Sequence, residues 1–392
     1  MLFPKKTCLV LLIVFLITAC DAFEGPPAKK YFDKTLGFDG EDFAQTMARS
    51  KDGNFIIAGY TNSFRPNNDM YLIKIDQQFD IIWSKTIGGN FNDRAGNIQS
   101  TSDNGLIAIG TVSLSGSNSD LFLVRTDLSG SVLWSRNYGG DGKDEGHSVC
   151  ELSNGDFIVA GSLSGATPNV DMYILRLDSR GFPRWSQTIG DENTEFAQSI
   201  ATTADGGFIV AGYISFISSP TTNWDLMLVK LNGDGQIEWE RTFNNRQKDT
   251  PFIVKQTSDG GYIAVCRTTA PDPGGDTNIW IVKTDAAGNL VWSRELGNSY
   301  EDIGYGMADA ENGYIICGTT YAGTELGAQV YLANIGMDGQ VLWEKTYGDG
   351  GSDVANACYV LENGSIIVAG YTQRSGNSDI YMMKLDRNGN LE

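Results

Sequence analysis

Between residues 198 and 243 apolar residues fall in short runs, separated by turn residues. Ser199-Ile200-Ala201-Thr202 leads into Asp205-Gly206-Gly207, and Phe208 to Tyr213 forms a second run. A polar stretch follows, then Asp225 to Leu231, the turn Asn232-Gly233-Asp234-Gly235, and Ile237 to Phe243. Each run is too short for a helix and is bounded by Gly, Asn or Asp, so the pattern predicts four antiparallel strands. Asn-Gly and Asp-Gly pairs predict two-residue hairpins with φ > 0.

The same unit recurs along the chain. A tryptophan closes it at Trp83, Trp134, Trp185, Trp239, Trp292 and Trp343, at a period of 51 to 54 residues. An acid keeps step at Asp42, Asp93, Asp144, Glu195, Asp249, Asp302 and Asp353. So do the turn pairs beginning at Asp52, Asn104, Asn154, Asp205, Asp259, Asn312 and Asn363. Four-stranded units at this period predict an all-β fold, a seven-bladed β-propeller with four antiparallel strands per blade, over residues 31–392. The repeated tryptophan is a large flat side chain suited to the gap between blades. Closure is predicted from the two ends. Phe32-Asp33-Lys34-Thr35-Leu36-Gly37 matches Trp83 to Gly88, and Leu391-Glu392 lies where a seventh Trp strand is due. The N-terminal strand is therefore expected to pair with the C-terminal blade and remove the open edges.

The segment Thr126 to Trp134 has an Asp, a Gly three residues on and a Trp four residues later. It resembles the tryptophan-docking motif of quinoprotein-type propellers. Asp205 to Gly212 resembles repeats of bacterial secreted and lipid-anchored propeller proteins. The resemblance covers Phe32 to Glu392. It implies that the first strand of each blade is innermost and the Trp strand outermost. It also brings in two less favoured readings, a quinone-dependent enzyme and an envelope-assembly factor. The first would want eight blades and an adjacent cysteine pair, and the second has a different blade count and second-strand repeat.

Residues 1–19 read as a signal segment, with Lys5 and Lys6 before an apolar run from Cys8 to Ile17 that is too short to span a bilayer. Ile17-Thr18-Ala19-Cys20 resembles the bacterial lipobox, which implies cleavage before Cys20, a lipidated thiol there and a tether over residues 20–30. The expected address is the bacterial cell envelope, with membrane contact through the lipid anchor only. A formal charge of −19 repels nucleic acid and argues against that partner. Four cysteines remain: Cys150, Cys266, Cys317 and Cys358. They are expected to be buried thiols, with a Cys317–Cys358 bridge as the alternative.

Candidate chemistry divides into repeated and varied positions. The repeated acids, with Asp69, Asp120, Asp171, Asp225 and Asp379 at the starts of third strands, place carboxylates on one face, here called the top. They are expected to cap turns. Ca²⁺ is the alternative, and no cofactor is otherwise expected. Three residues after each inner acid stand Gln45, Gly96, His147, Gln198, Phe252, Tyr305 and Asn356. Such a mix of aromatic, amide and imidazole groups suits a sugar or peptide. Blades four and five carry lengthened loops, Tyr213 to Trp224 and Arg267 to Thr277, which bring Trp224, Arg267, Pro271, Pro273 and Asp276 to the same face. His147 is the one histidine, which excludes chemistry needing two. No GxSxG, HExxH, Walker or CxxC motif occurs. The expected role is a monomeric binding or scaffold module for a protein or glycan, with His147, Gln198, Phe252, Tyr305, Asn356, Trp224 and Arg267 as its ligand residues. A glycan hydrolase or lyase using top-face carboxylates is the alternative.

Overall fold

A computed structural model describes residues 34–164, 169–216, 223–246, 248–270, 276–298, 300–321, 327–348, 350–374 and 376–392. The expected signal segment and tether, with Cys20, Phe32, Pro271 and Pro273, lie outside the described residues. Among the described residues every regular element is a β-strand, 28 in all, and none is a helix. Antiparallel pairing groups them into seven four-stranded units in chain order, here blades one to seven. Blades four and five are additionally joined by one parallel pair, Trp224 with Lys248.

The innermost strands are Asp42–Arg49, Asp93–Ser100, Glu145–Glu151, Thr194–Thr202, Lys248–Gln256, Asp302–Ala310 and Ser352–Val360. Each packs against the inner strand of the next blade, and that of blade seven packs against that of blade one. Seven apolar clusters fill the seven blade-to-blade interfaces. The second and third strands carry them, because both faces of each blade are covered and nearly every residue there is buried. The cluster that unites blades seven and one includes Leu36, Ala44, Tyr71, Ala369 and Met382.

Lys34–Leu36 pairs antiparallel with Asn377–Leu385, Lys34 opposite Met382, and supplies the outer strand of blade seven. Leu391 bridges Leu385 on the same edge, and Glu392 donates its N–H to the Lys384 carbonyl at 3.1 Å. The closure expected from the matching ends is thus present, and it leaves no bare edge at the third strand of blade seven.

The hairpins differ from expectation. In most blades the first turn is a three-residue loop with a single left-handed residue, as at Gly53 and Gly206. A type I turn followed by one αL glycine gives this geometry. The acid before the glycine bonds instead: Asp205 accepts from the Gly207 N–H at 3.0 Å and pairs with Lys230 at 2.9 Å. Burial works against that charge, but the Thr203 and Lys230 bonds outweigh it and pull Asp205 down to about 2. A two-residue loop occurs in blade six, where Ala310 pairs with Gly313.

Each tryptophan of blades one to six lies on the following blade's outer turn. The Trp83 indole N–H donates to the Leu128 carbonyl at 3.0 Å, and Trp292 to Met337 at 3.2 Å. The turn glycine beneath must lack a side chain: a Cβ on Gly130 (φ +77°) would stand 3.1 Å from the Trp83 ring. Blade one, which follows the closing blade, holds Phe79 at that turn position with φ +63°. Phe79 fills the closing interface itself and is buried.

Candidate functional site

A β-bulge interrupts every inner strand at one equivalent position. The pairing register slips around Gln45, Gly96, His147, Gln198, Phe252, Tyr305 and Asn356. A bulged residue is left out of the ladder, and its strand bends there. All seven line one central channel of about 1040 Å³. The bulge also explains a glycine in the neighbouring strand. A Cβ on Gly59 would stand 1.8 Å from the Phe43 carbonyl, and Gly110, Gly161, Gly212, Gly318 and Gly370 are crowded in the same way. Blade five departs, with Cys266 opposite Pro251. Proline has no N–H to bond across, so the backbones need not close so tightly there.

Within the channel Phe252 and Tyr305 meet edge to face at 5.0 Å. Asn356 donates to the Ala44 carbonyl at 2.6 Å, tying blade seven to blade one. His147 Nε2 lies 3.5 Å from Glu145 Oε2. Burial pushes the imidazole below its ordinary value, against the pull of Glu145, so it is neutral at neutral pH. Among the described residues Asp309 is the one acid on the channel wall.

At the top mouth, the residue after each inner acid faces the residue after the crowded position. Blade one pairs Phe43 with Tyr60, stacked at 4.6 Å, and Tyr371 of blade seven meets Phe43 edge-on at 4.6 Å. Blade four builds a longer stack: Phe196 on Tyr213 at 4.9 Å, then Tyr213 on Trp224 at 5.1 Å. Lys248 stands over the Trp224 ring at 4.9 Å. Arg267 turns back to its own blade and donates to the Thr250 hydroxyl at 2.7 Å. The Arg267 charge still reaches Tyr213, on which Trp224 stacks. Asp276, in the lengthened loop of blade five, pairs with Arg246 at 2.9 Å.

This ring of four-stranded units has counterparts among known proteins. A family model described as "Domain of unknown function (DUF5122) beta-propeller" matches residues 361–392. The structure is similar to a protein of unknown function from Dyadobacter fermentans, with TM-score 0.51 and 12% identity, covering 92% of this chain and 99% of that one. It is similar to Sqt1 from Chaetomium thermophilum, with TM-score 0.51 and 12% identity, covering 91% and 86%. A puromycin hydrolase matches with TM-score 0.57 and 13% identity, over 93% of this chain and 56% of that one. The chain is a β-propeller. At these identities the likeness speaks for fold alone. In sequence, 148 residues are 24% identical to the regulatory protein FlaEY of Caulobacter vibrioides, covering 33% of this chain and 16% of that protein. The chain thus spans about a sixth of that relative's length.

The propeller's repeated acids are buried and bound to backbone. Asp249 accepts from the N–H groups of Asn245 and Arg246 at 2.7 and 3.2 Å and from the Thr268 hydroxyl at 2.5 Å. Asp144 accepts from Gly140 and Ser164 at 2.6 and 2.8 Å. The third-strand acids do not form a separate ring. Asp69 meets Asp93, Asp120 meets Asp144 and Asp171 meets Glu195, each pair converging over a glycine at a blade boundary. A Cβ on Gly190 would stand 2.3 Å from Asp171 Oδ1 and 2.7 Å from Glu195 Oε2. Burial, with the charges of Asp191 and Asp171, pushes Glu195 up to about 7. Among the described residues no three His, Cys, Asp or Glu side chains are grouped to hold a metal ion. Cys150, Cys266, Cys317 and Cys358 are free thiols; burial raises Cys317 well above its ordinary value, with Cys358 beside it.

A second hollow of about 330 Å³ opens beside the mouth at blades one to three. Tyr60 borders both it and the channel. Arg94, Glu145, Lys143 and a group of asparagines line the rest. Of this wall the sequence singled out Asp93 alone, as a capping acid; the other residues carry no feature repeated from blade to blade.

Proposed function

We propose that the protein is a lipid-anchored, extracytoplasmic binding propeller that takes a protein or glycan at its top mouth. The observation that carries this reading is the division along each inner strand. The repeated acid is buried and engaged in capping, while the bulged residue three positions on varies from blade to blade and faces the channel. A wall of Gln45, His147, Gln198 and Asn356, with Phe252 and Tyr305, presents amides, an imidazole and rings to whatever enters. The aromatic stacks ending in Tyr60, Tyr371 and Trp224 supply rigid contact area at the entrance. The indole-to-turn contacts support reading the repeat as tryptophan docking of the quinoprotein type. The hydrolase reading is set aside, because the paired carboxylates lie in blade boundaries and, among the described residues, Asp309 alone joins the channel wall.

The test is a glycan-array and pull-down screen with a soluble form beginning after Cys20. Binding is expected to fall on Trp224→Ala and to survive on Trp134→Ala in a protein that still folds. Binding unchanged by Trp224→Ala and by trimming both long loops removes the top-face assignment. For the anchor, Cys20→Ser is expected to move the protein from the membrane fraction to the soluble one. Unchanged fractionation removes the lipidation.

A further inference from the structure

We infer that the 330 Å³ hollow at blades one to three is a saccharide subsite, holding one sugar unit of a chain whose other units cross Tyr60 into the channel mouth. The inference rests on the binding reading above and narrows its ligand to a glycan. Apart from the Tyr60 ring, every side chain on its wall is polar or ionised. A protein side chain or peptide would want an apolar pocket or a bare strand edge. The wall provides neither.

A sugar asks for what is present. Its hydroxyls donate and accept at once, and its C–H face packs on an aromatic ring. Tyr60 is held by its stack on Phe43 at 4.6 Å, so its ring is a fixed wall. Arg94 reaches Glu145 at 3.5 Å, which sets a guanidinium and a carboxylate side by side. Asn92 Oδ1 accepts from the Asn68 N–H at 3.0 Å, which fixes its amide. Asn118 donates to the Gly140 carbonyl at 3.4 Å, while its Oδ1 is buried and has no donor. Lys143 is exposed and makes no ion pair among the described residues. Arg94 is paired with Glu145, and Asp93 also lines the hollow, in a strongly acidic protein, so a polyanion such as nucleic acid is disfavoured. The volume is at the small end for ligand pockets, enough for a single sugar unit.

The experiment uses the full chain in detergent against a panel of neutral and uronate-bearing oligosaccharides and a peptide library. Affinities are measured by calorimetry for the wild type, Tyr60→Ala, Tyr60→Phe, Arg94→Gln and Trp224→Ala. Unfolding midpoints verify that each variant is folded. Oligosaccharide binding is expected to weaken by about tenfold in Tyr60→Ala and in Arg94→Gln, and to persist in Tyr60→Phe. Should Tyr60→Ala fail to fold, the exposed Arg94→Gln decides alone. Sugar binding unchanged in Arg94→Gln overturns the subsite, even if Trp224→Ala abolishes it and the top-face reading stands. Peptide binding without sugar binding overturns it equally. Binding of neither class at the mouth takes down the broader reading as well.

Discussion

Asp249 and Phe252 stand three residues apart on one inner strand, yet they live under different rules. Asp249 is fully buried and accepts three hydrogen bonds that hold the entry to its blade. Phe252 sits on a bulge, half-buried, touching Tyr305 of the next blade. Every blade repeats the first residue type, and every blade is free to choose the second. Invariance within a repeat marks what a blade needs in order to exist. Variation at a fixed, channel-facing point marks where one molecule can differ from another of the same fold.

The comparison can be broken by mutation. Asp249→Ala strands three donors in a buried site and is expected to destabilise by about 2–4 kcal/mol, read from the urea midpoint. Phe252→Ala loses one edge contact and is expected to cost about 1 kcal/mol. Equal costs would erase the distinction.

Protonation sharpens it next. Glu195 in the folded protein titrates near 7, above its ordinary 4.5, so the native state holds an extra proton between those values. Its contribution is complete below pH 4.5 and is lost as pH rises through about 7. The amplitude is on the order of 3 kcal/mol. Glu195→Gln, which stays neutral, is expected to flatten unfolding free energy against pH across this window. A slope identical to wild type would show that the carboxylate pair is not the cause.

Two smaller effects complete the series. Trp83→Phe keeps a ring over Gly130 but loses the bond to the Leu128 carbonyl, so about 1 kcal/mol should be lost in thermal unfolding. Gln198→Ala, on the channel wall, should shift stability by no more than about 0.5 kcal/mol. Its effect should appear in ligand affinity instead. A large loss of stability would place Gln198 with the structural residues.

Some of the site could be read before any coordinates. The position three residues after the acid was legible because a repeat supplies its own alignment: seven copies show where identity is held and where it drifts. That these seven positions share one channel depends on the bulges. A bulge is a mismatch between two strands, and nothing in one strand's composition announces it. The carboxylate pairs were hidden for a related reason. Asp171 and Glu195 belong to different blades, and their meeting depends on how closely the backbones approach at Gly190.

The polar hollow beside Tyr60 was invisible for a further reason. Arg94, Lys143 and Asn118 come from blades two and three at unrelated repeat positions, so no spacing links them. Nor does spacing along the chain show that Arg267 bonds to Thr250 across its own hairpin.

Strand period, blade length, turn glycines and the matching of the two ends are local or repeated properties, and the amino-acid sequence alone determined them. The all-β architecture and its closure followed, since a blade with two apolar faces must find a neighbour on each side. Which side chains converge on the channel, which carboxylates share a boundary and which polar groups enclose the side hollow were decided by tertiary structure. These are distances between residues far apart in the chain, set by backbone packing to a fraction of an ångström, and pattern along one dimension carries no measure of them.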